Sequence, residues 1–206
     1  AKWQFHNVIF DPNAAFYYGA DIEYYLDDTI LVLCWKEVID GSTCSCCEIK
    51  IADASQFRRK IAEDTLGSPV WLYASELAAA VNPVIAMNAD FYMFRDFGTV
   101  VYNRQLWRMD DSTYTGQYKK YNCIDTCFID ASGNFHFTHR LEERSRAEME
   151  QYLLDNDILF SLSFGPVLVE DGVLQTCDWY PAGEPTQGYS RAGIGQVDHL
   201  HYYYMS

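Results

Sequence analysis

Two polar residues, Asn88 and Asp90, directly follow the apolar run Val84–Met87 inside VIAMNADFYMFRDFGTVVYNRQLWR, residues 84–108. A carboxylate and an amide at the tip of a short buried strand can face a cleft rather than the core. Such a carboxylate can activate water or attack an electrophilic carbon, and the amide can bind a hydroxyl or steady its neighbour. The plain alternative makes both of them turn residues bonded to their own backbone. A matching cation is offered by Arg191, whose planar guanidinium presents a two-pronged fork to an anion. A surface salt bridge is its ordinary role. Gly98, and Gly165 with Pro166, allow backbone N–H groups to approach a ligand closely, although glycines at strand ends more often punctuate turns.

These residues need a scaffold, and the pattern around them is mostly strand. Ile22–Tyr25, Thr29–Trp35 and Cys46–Ile51 read as strands separated by turns at Asp27-Asp28 and Asp40-Gly41. Ser55 can cap a helix running to about Asp64, and a second follows Ser75 to Ala80, stopped by Asn82-Pro83. Val84–Met87 is expected as a buried strand. Thr99–Tyr102 and Gln105–Arg108 form a hairpin about Asn103-Arg104, and Asp125–Ile129 with Asn134–His139 form another. Ser145 and Glu148 make a capping box opening a helix that ends near Asn156, after which Ile158–Phe164 returns to strand. An aromatic strand, HLHYYYM, occupies residues 199–205, where Asp198 and His199 alternate so that only one can face a pocket. The expected fold is one α+β domain over residues 1–206, with a twisted mixed or antiparallel sheet core, barrel-like or two-sheet, and about three flanking helices.

Composition narrows the partners. A formal net charge of −14 argues against nucleic acid and against an anionic membrane surface, since both require a basic face. An anionic small substrate would have to be held locally, by an arginine or by backbone amides. No apolar run is long enough for a membrane helix. No signal-peptide pattern opens the chain, and since it starts at Ala1 rather than Met, an N-terminal export signal or anchor, removed or left out of this sequence, is compatible with it. Cysteines stand at 34, 44, 46, 47, 123, 127 and 177, an odd count. Adjacent Cys46 and Cys47 on a strand point to opposite faces, which suits disulfides or buried thiols better than zinc, so no metal is expected. No nucleophile elbow, P-loop or dinucleotide fingerprint occurs, and no cofactor is expected.

Three segments, in order, resemble the phosphodiester glycosidase family. Residues 84–108 are similar to that family's N-G-G/D-F/Y-F, glycine and V-x-N-G hairpin; SFGPVLVEDG at 163–172 to its G-P-x-L-V-x-x-G; and RAGIGQVDHLHY at 191–202 to its R-T-A-I-G, aspartate and strand. The upstream DDTILVLCWKE and IADASQFRRKIAEDT are similar to a strand and helix of bacterial members. The resemblance implies hydrolysis of a sugar-1-phosphodiester, of the N-acetylglucosamine kind, in bacterial surface or exopolysaccharide glycan by an exported enzyme. It implies Asp90 as the catalytic carboxylate, Asn88 beside it, Arg191 on the phosphate, and Gly98, Gly165, Pro166, Gly195 and Asp198 lining the substrate site. Departures are Ala89 and Ala192 where the family has glycine and threonine, and Arg104 in place of the hairpin glycine. The family's later N-L-D-G-G-G-S-S has no counterpart before Ser206, so a C-terminal segment or a second chain is expected to complete the fold. The alternative is a non-catalytic, glycan-binding member of the same family.

Overall fold

The computed structural model describes residues 15–19, 21–90, 98–110, 113, 115–116, 124–139, 142–163, 165–177 and 188–206. In chain order the elements are β1 (Phe16–Tyr18), β2 (Ile22–Leu26), β3 (Ile30–Ile39), β4 (Ser42–Ile51), α1 (Ala74–Val81), β5 (Val100–Tyr102), β6 (Gln105–Arg108), β7 (Thr126–Asp130), β8 (Phe135–Thr138), α2 (Arg146–Asp155), β9 (Ile158–Leu162), β10 (Val169–Glu170), β11 (Val173–Leu174), β12 (Gly193–Asp198) and β13 (His201–Met205). Two 3-10 turns, Ala54–Gln56 and Ala62–Asp64, lie between β4 and α1. The chain divides into two compact units, one of Ala1–Phe57 with Ser190–Ser206, the other of Arg58–Tyr189.

The first unit is a six-stranded antiparallel sheet in the order β1-β2-β3-β4-β13-β12. Asp40 and Gly41, both at positive φ, close the β3–β4 hairpin, the backbone that a two-residue turn needs to match strand twist. Tyr24, Leu31 and Leu33 pack on one face with Ile22, Leu26 and Trp35. On the opposite face Val32, Ile49 and Tyr202 stand side by side in register and are all buried. Burial on both faces explains why ILVLCW is a continuous apolar run rather than an alternating one.

The second unit holds a three-stranded sheet, β8-β7-β9, and two hairpins, β5-β6 and β10-β11. Its core gathers Val101, Leu106, Phe128 and Ile158 with Met149 and Leu153, the apolar stripe of α2. Full burial of side chains such as Phe128 and Ile158 contributes about 1.5–3 kcal/mol each. Ser145 caps α2 as its sequence indicates: its hydroxyl accepts the Glu148 N–H at 3.3 Å, and the Glu148 carboxylate accepts the Ser145 N–H at 2.7 Å. Asn103 and Arg104, at φ 49° and 65°, turn β5 into β6.

Several expectations are corrected. Among the described residues two α-helices, not about three, are present; of the alternatives for the sheets, every pairing is antiparallel rather than mixed and no sheet closes as a barrel. Residues 55–64 are not a continuous helix. Asp53 and Gln56 cap a first turn at 2.8 and 3.1 Å, but Phe57 leaves it with an extended backbone and packs its ring 5.0 Å from Tyr202. Arg59 is drawn to partners in the second unit. Such tertiary ties outweigh propensity differences of roughly 0.7 kcal/mol per residue or less. Val84–Met87 is irregular and partly exposed, with no neighbouring strand among the described residues to satisfy its backbone. Asp198 ends β12 and His199 lies in the turn before β13, so the two do not alternate along one strand.

Candidate functional site

The second unit builds its polar centre from β9 and the segments around it. Ser161 is fully buried; its Oγ accepts the Val101 N–H at 2.9 Å and donates to the Thr99 carbonyl at 3.1 Å. Two residues on, Ser163 Oγ accepts the Thr99 N–H at 3.1 Å and lies 3.0 Å from Thr126 Oγ1. Side-chain hydroxyls thus do between β9 and β5 what ladder carbonyls and amides do elsewhere. These buried backbone groups require partners, and serines supply them.

Asp90 reaches the same point. Its backbone is left-handed, φ 59°, a conformation that Asp tolerates better than most residues. One carboxylate oxygen accepts the Ser163 N–H at 2.5 Å, and the other is ion-paired with Arg59, which also donates to the Ser161 carbonyl. Both side chains are largely buried, 11% exposed for Arg59 and 18% for Asp90. A buried pair of this kind is costly to break from one side, about 3–5 kcal/mol, because the remaining charge is left without compensation. Each oxygen of an ionised carboxylate keeps a further acceptor position, so Asp90 can still address a ligand.

Gly98 adjoins this cluster. At φ 84° it donates its N–H to Asp110 at 2.9 Å and accepts from Arg108 Nε at 2.8 Å; a Cβ there would lie 3.2 Å from Ser163 Oγ. Gly165 is in tighter contact, since a Cβ would come within 2.9 Å of Asp125 Cβ and 3.0 Å of its backbone. Asp125 in turn accepts the Val167 N–H at 2.8 Å, which fixes the chain just past Pro166. Thr99 also lines a cleft of about 290 Å³ with Asp110, Thr138, His139, Glu142 and Arg144. There Arg144 donates to Glu142 at 2.9 Å and lies 4.5 Å above the Tyr152 ring, while His139 is 2.9 Å from Glu170.

The sequence-derived residues therefore separate. Asp90 and Gly98 meet at Ser163, and Gly165 and Pro166 follow it in the chain. Asn88 lies two residues before Asp90 and is exposed. Arg191, Gly195 and Asp198 belong to the first unit: Arg191 is exposed, with a 3.4 Å bond to the Ser190 carbonyl; Gly195 sits opposite Tyr203 with open space where a Cβ would be; and Asp198 accepts the His199 N–H at 2.8 Å.

Two groupings were not anticipated. Arg59 is the cation at Asp90, and its signal was the basic triplet Arg58-Arg59-Lys60 in an otherwise acidic chain. The other is Glu48 in the first unit, 2% exposed, bonded to His201 and Tyr203 with Lys50 Nζ at 3.9 Å. Burial, and then the Glu48 bond, push the Tyr203 hydroxyl well above its usual range. The visible sign was His201 and Tyr203, two apart on one strand face, in register with Lys50 and Glu48. A buried carboxylate satisfied on both oxygens holds the sheet's polar interior together.

Among the described residues no cluster of histidine, cysteine and carboxylate ligands is arranged to hold a metal. No helix is long and apolar enough to cross a membrane. Compared with protein-family models and with curated proteins, the chain matches none.

Proposed function

We propose that this protein is a glycosidase hydrolysing a sugar-1-phosphodiester, of the N-acetylglucosamine-phosphodiester kind, in exported bacterial surface or exopolysaccharide glycan. The observation that carries the reading is the meeting of two separated motif segments: Asp90 from the first accepts the N–H of Ser163, which opens the second, at 2.5 Å. In this reaction the anomeric C–O bond breaks and a phosphomonoester departs, a leaving group that needs little protonation, so charge stabilisation dominates. Asp90 supplies the carboxylate, activating water or meeting the oxocarbenium-like carbon. Arg59 is a positioning residue that fixes the carboxylate from behind.

The test is sugar release from a GlcNAc-phosphodiester by the full chain. Asp90→Asn is expected to lose about 100-fold or more, the scale of a lost acid–base or nucleophilic group. Arg59→Lys, which keeps the charge but not the fork, is expected to lower kcat with little change in KM. Arg191→Ala in the same assay asks whether the third motif takes part. A second reading, a non-catalytic glycan-binding protein, is favoured by the engagement of both Asp90 oxygens. Folded wild-type protein that binds the glycan yet releases no sugar would sink the enzyme reading in its favour.

A further inference from the structure

Six cysteines among the described residues are free thiols, and two of them oppose each other across the β3–β4 hairpin: Cys34 is the direct register partner of Cys47. Whether such a pair can be bridged depends on which kind of ladder position it occupies. The Ala52 N–H donates to the Thr29 carbonyl at 2.8 Å, extending the ladder by one step beyond Ile30↔Ile51. That makes Thr29↔Ala52 a hydrogen-bonded pair, and strict alternation then makes Ile30↔Ile51, Val32↔Ile49 and Cys34↔Cys47 non-hydrogen-bonded pairs. The other side of β4 agrees. Ser45 and Ser206 exchange both backbone bonds, at 2.7 and 2.9 Å, so two residues on, Cys47 directs its amide and carbonyl toward β13.

In a non-hydrogen-bonded pair the Cα atoms are about 4.5 Å apart and the side chains converge. Disulfides require Cα separations of about 4.4–6.8 Å and Cβ separations of about 3.5–4.5 Å, so this kind of pair is the one a bridge fits. The alternatives in the cluster are excluded by pleat. Cys46 and Cys44 sit on the opposite face of β4 from Cys47, facing Trp35 and Glu37. The Cys34 thiol already donates to Cys47, which lowers the Cys47 thiol and raises its own, so one of the two gives up its proton more readily.

We propose that Cys34 and Cys47 are an oxidation site that closes to a cross-strand disulfide by exchange with a small-molecule disulfide. Cys47, the thiol that ionises more readily, attacks the oxidant first as its thiolate, forming a mixed disulfide and releasing one oxidant thiol. Cys34 then loses its proton and attacks Cys47 Sγ, the intrachain S–S bond forms, and the second oxidant thiol leaves. Both protein hydrogens end on the oxidant's two thiols, and its disulfide is the species reduced. Cys44 and Cys46 stay outside this bridge.

The full chain is treated with glutathione disulfide, its remaining thiols are alkylated, and it is cut with trypsin. The expected product joins residues 3–36, which contain only Cys34, to residues 37–50. Fragmentation should place the bond at Cys47. The linked peptide should persist in Cys44→Ser and Cys46→Ser and fall to background in Cys34→Ser and Cys47→Ser. Glutathione left on either Cys34 or Cys47, no linked peptide from folded wild-type protein, or fragmentation placing the bond at Cys44 or Cys46 would each overturn the proposal, without depending on whether any variant folds.

Discussion

Replacing Ser161 by alanine tests the claim that hydroxyls bind β9 to β5. The substitution removes one oxygen from a fully buried site and strands two backbone groups, the Val101 N–H and the Thr99 carbonyl, in residues 0% and 3% exposed. An orphaned buried donor or acceptor costs about 1–3 kcal/mol, and the carbonyl, with two lone pairs, falls at the low end. The sum, about 2–4 kcal/mol, is a large share of a domain stability of about 5–15 kcal/mol. Urea unfolding monitored by near-ultraviolet circular dichroism should show the midpoint fall with little change in slope. Native-state hydrogen exchange should show the Val101 amide losing protection before its neighbours in β5. Arg59 bonds the main-chain carbonyl of Ser161, which the substitution retains, so the Arg59–Asp90 pair should survive. A loss under about 0.5 kcal/mol, with Val101 protection intact, would refute the reasoning, because a buried unsatisfied N–H cannot be that cheap.

Further outcomes follow from the same geometry. Gly165→Ala is expected to destabilise by about 1–3 kcal/mol, the usual cost of forcing atoms into a packed site, since its Cβ would meet Asp125 backbone at 3.0 Å; a thermal midpoint equal to wild type would contradict that contact. Burial, and then the Asp64 bond, raise the Tyr102 hydroxyl from 10.0 to about 12. The unfolded chain therefore loses this proton first, and stability should fall as pH rises between those two values. Tyr102→Phe should flatten that decline, and an unchanged alkaline profile would count against it. If the Cys34–Cys47 bridge forms, oxidised protein should unfold about 3 kcal/mol later than reduced protein, the chain-entropy value for a loop of this length. Identical denaturation curves with and without reductant would oppose that magnitude.

The hairpins were legible because their signals are local. Asp40-Gly41 and Asn103-Arg104 needed only turn chemistry and flanking strand residues, and Ser145 with Glu148 needed only the first turn of a helix. What escaped was non-local. Gln56, Phe57 and Arg59 follow one another in a helix-like segment, yet one completes a cap, one packs against Tyr202 and one pairs with Asp90. Nothing in a ten-residue window records those partners. Val84–Met87 failed for the converse reason: an apolar run proposes a strand, but only a neighbouring strand can make it one. Of the site, Asp90, Gly98 and Gly165 were visible as types, whereas Arg59 and Glu48 acquire meaning only from residues far away in sequence.

The order β3-β4-β13 has a temporal side as well. On synthesis from the N-terminus, β4 is made and its hairpin with β3 can close while β13 does not yet exist. The entire second unit, Arg58–Tyr189, is translated in between. Throughout that interval the far edge of β4, running past Cys46, Cys47 and Ile49, is an unpaired strand edge, the kind of surface that recruits stray strands from other chains. The nascent protein thus passes through a period of edge vulnerability whose length is set by the insertion and ended by pairing with His201–Met205.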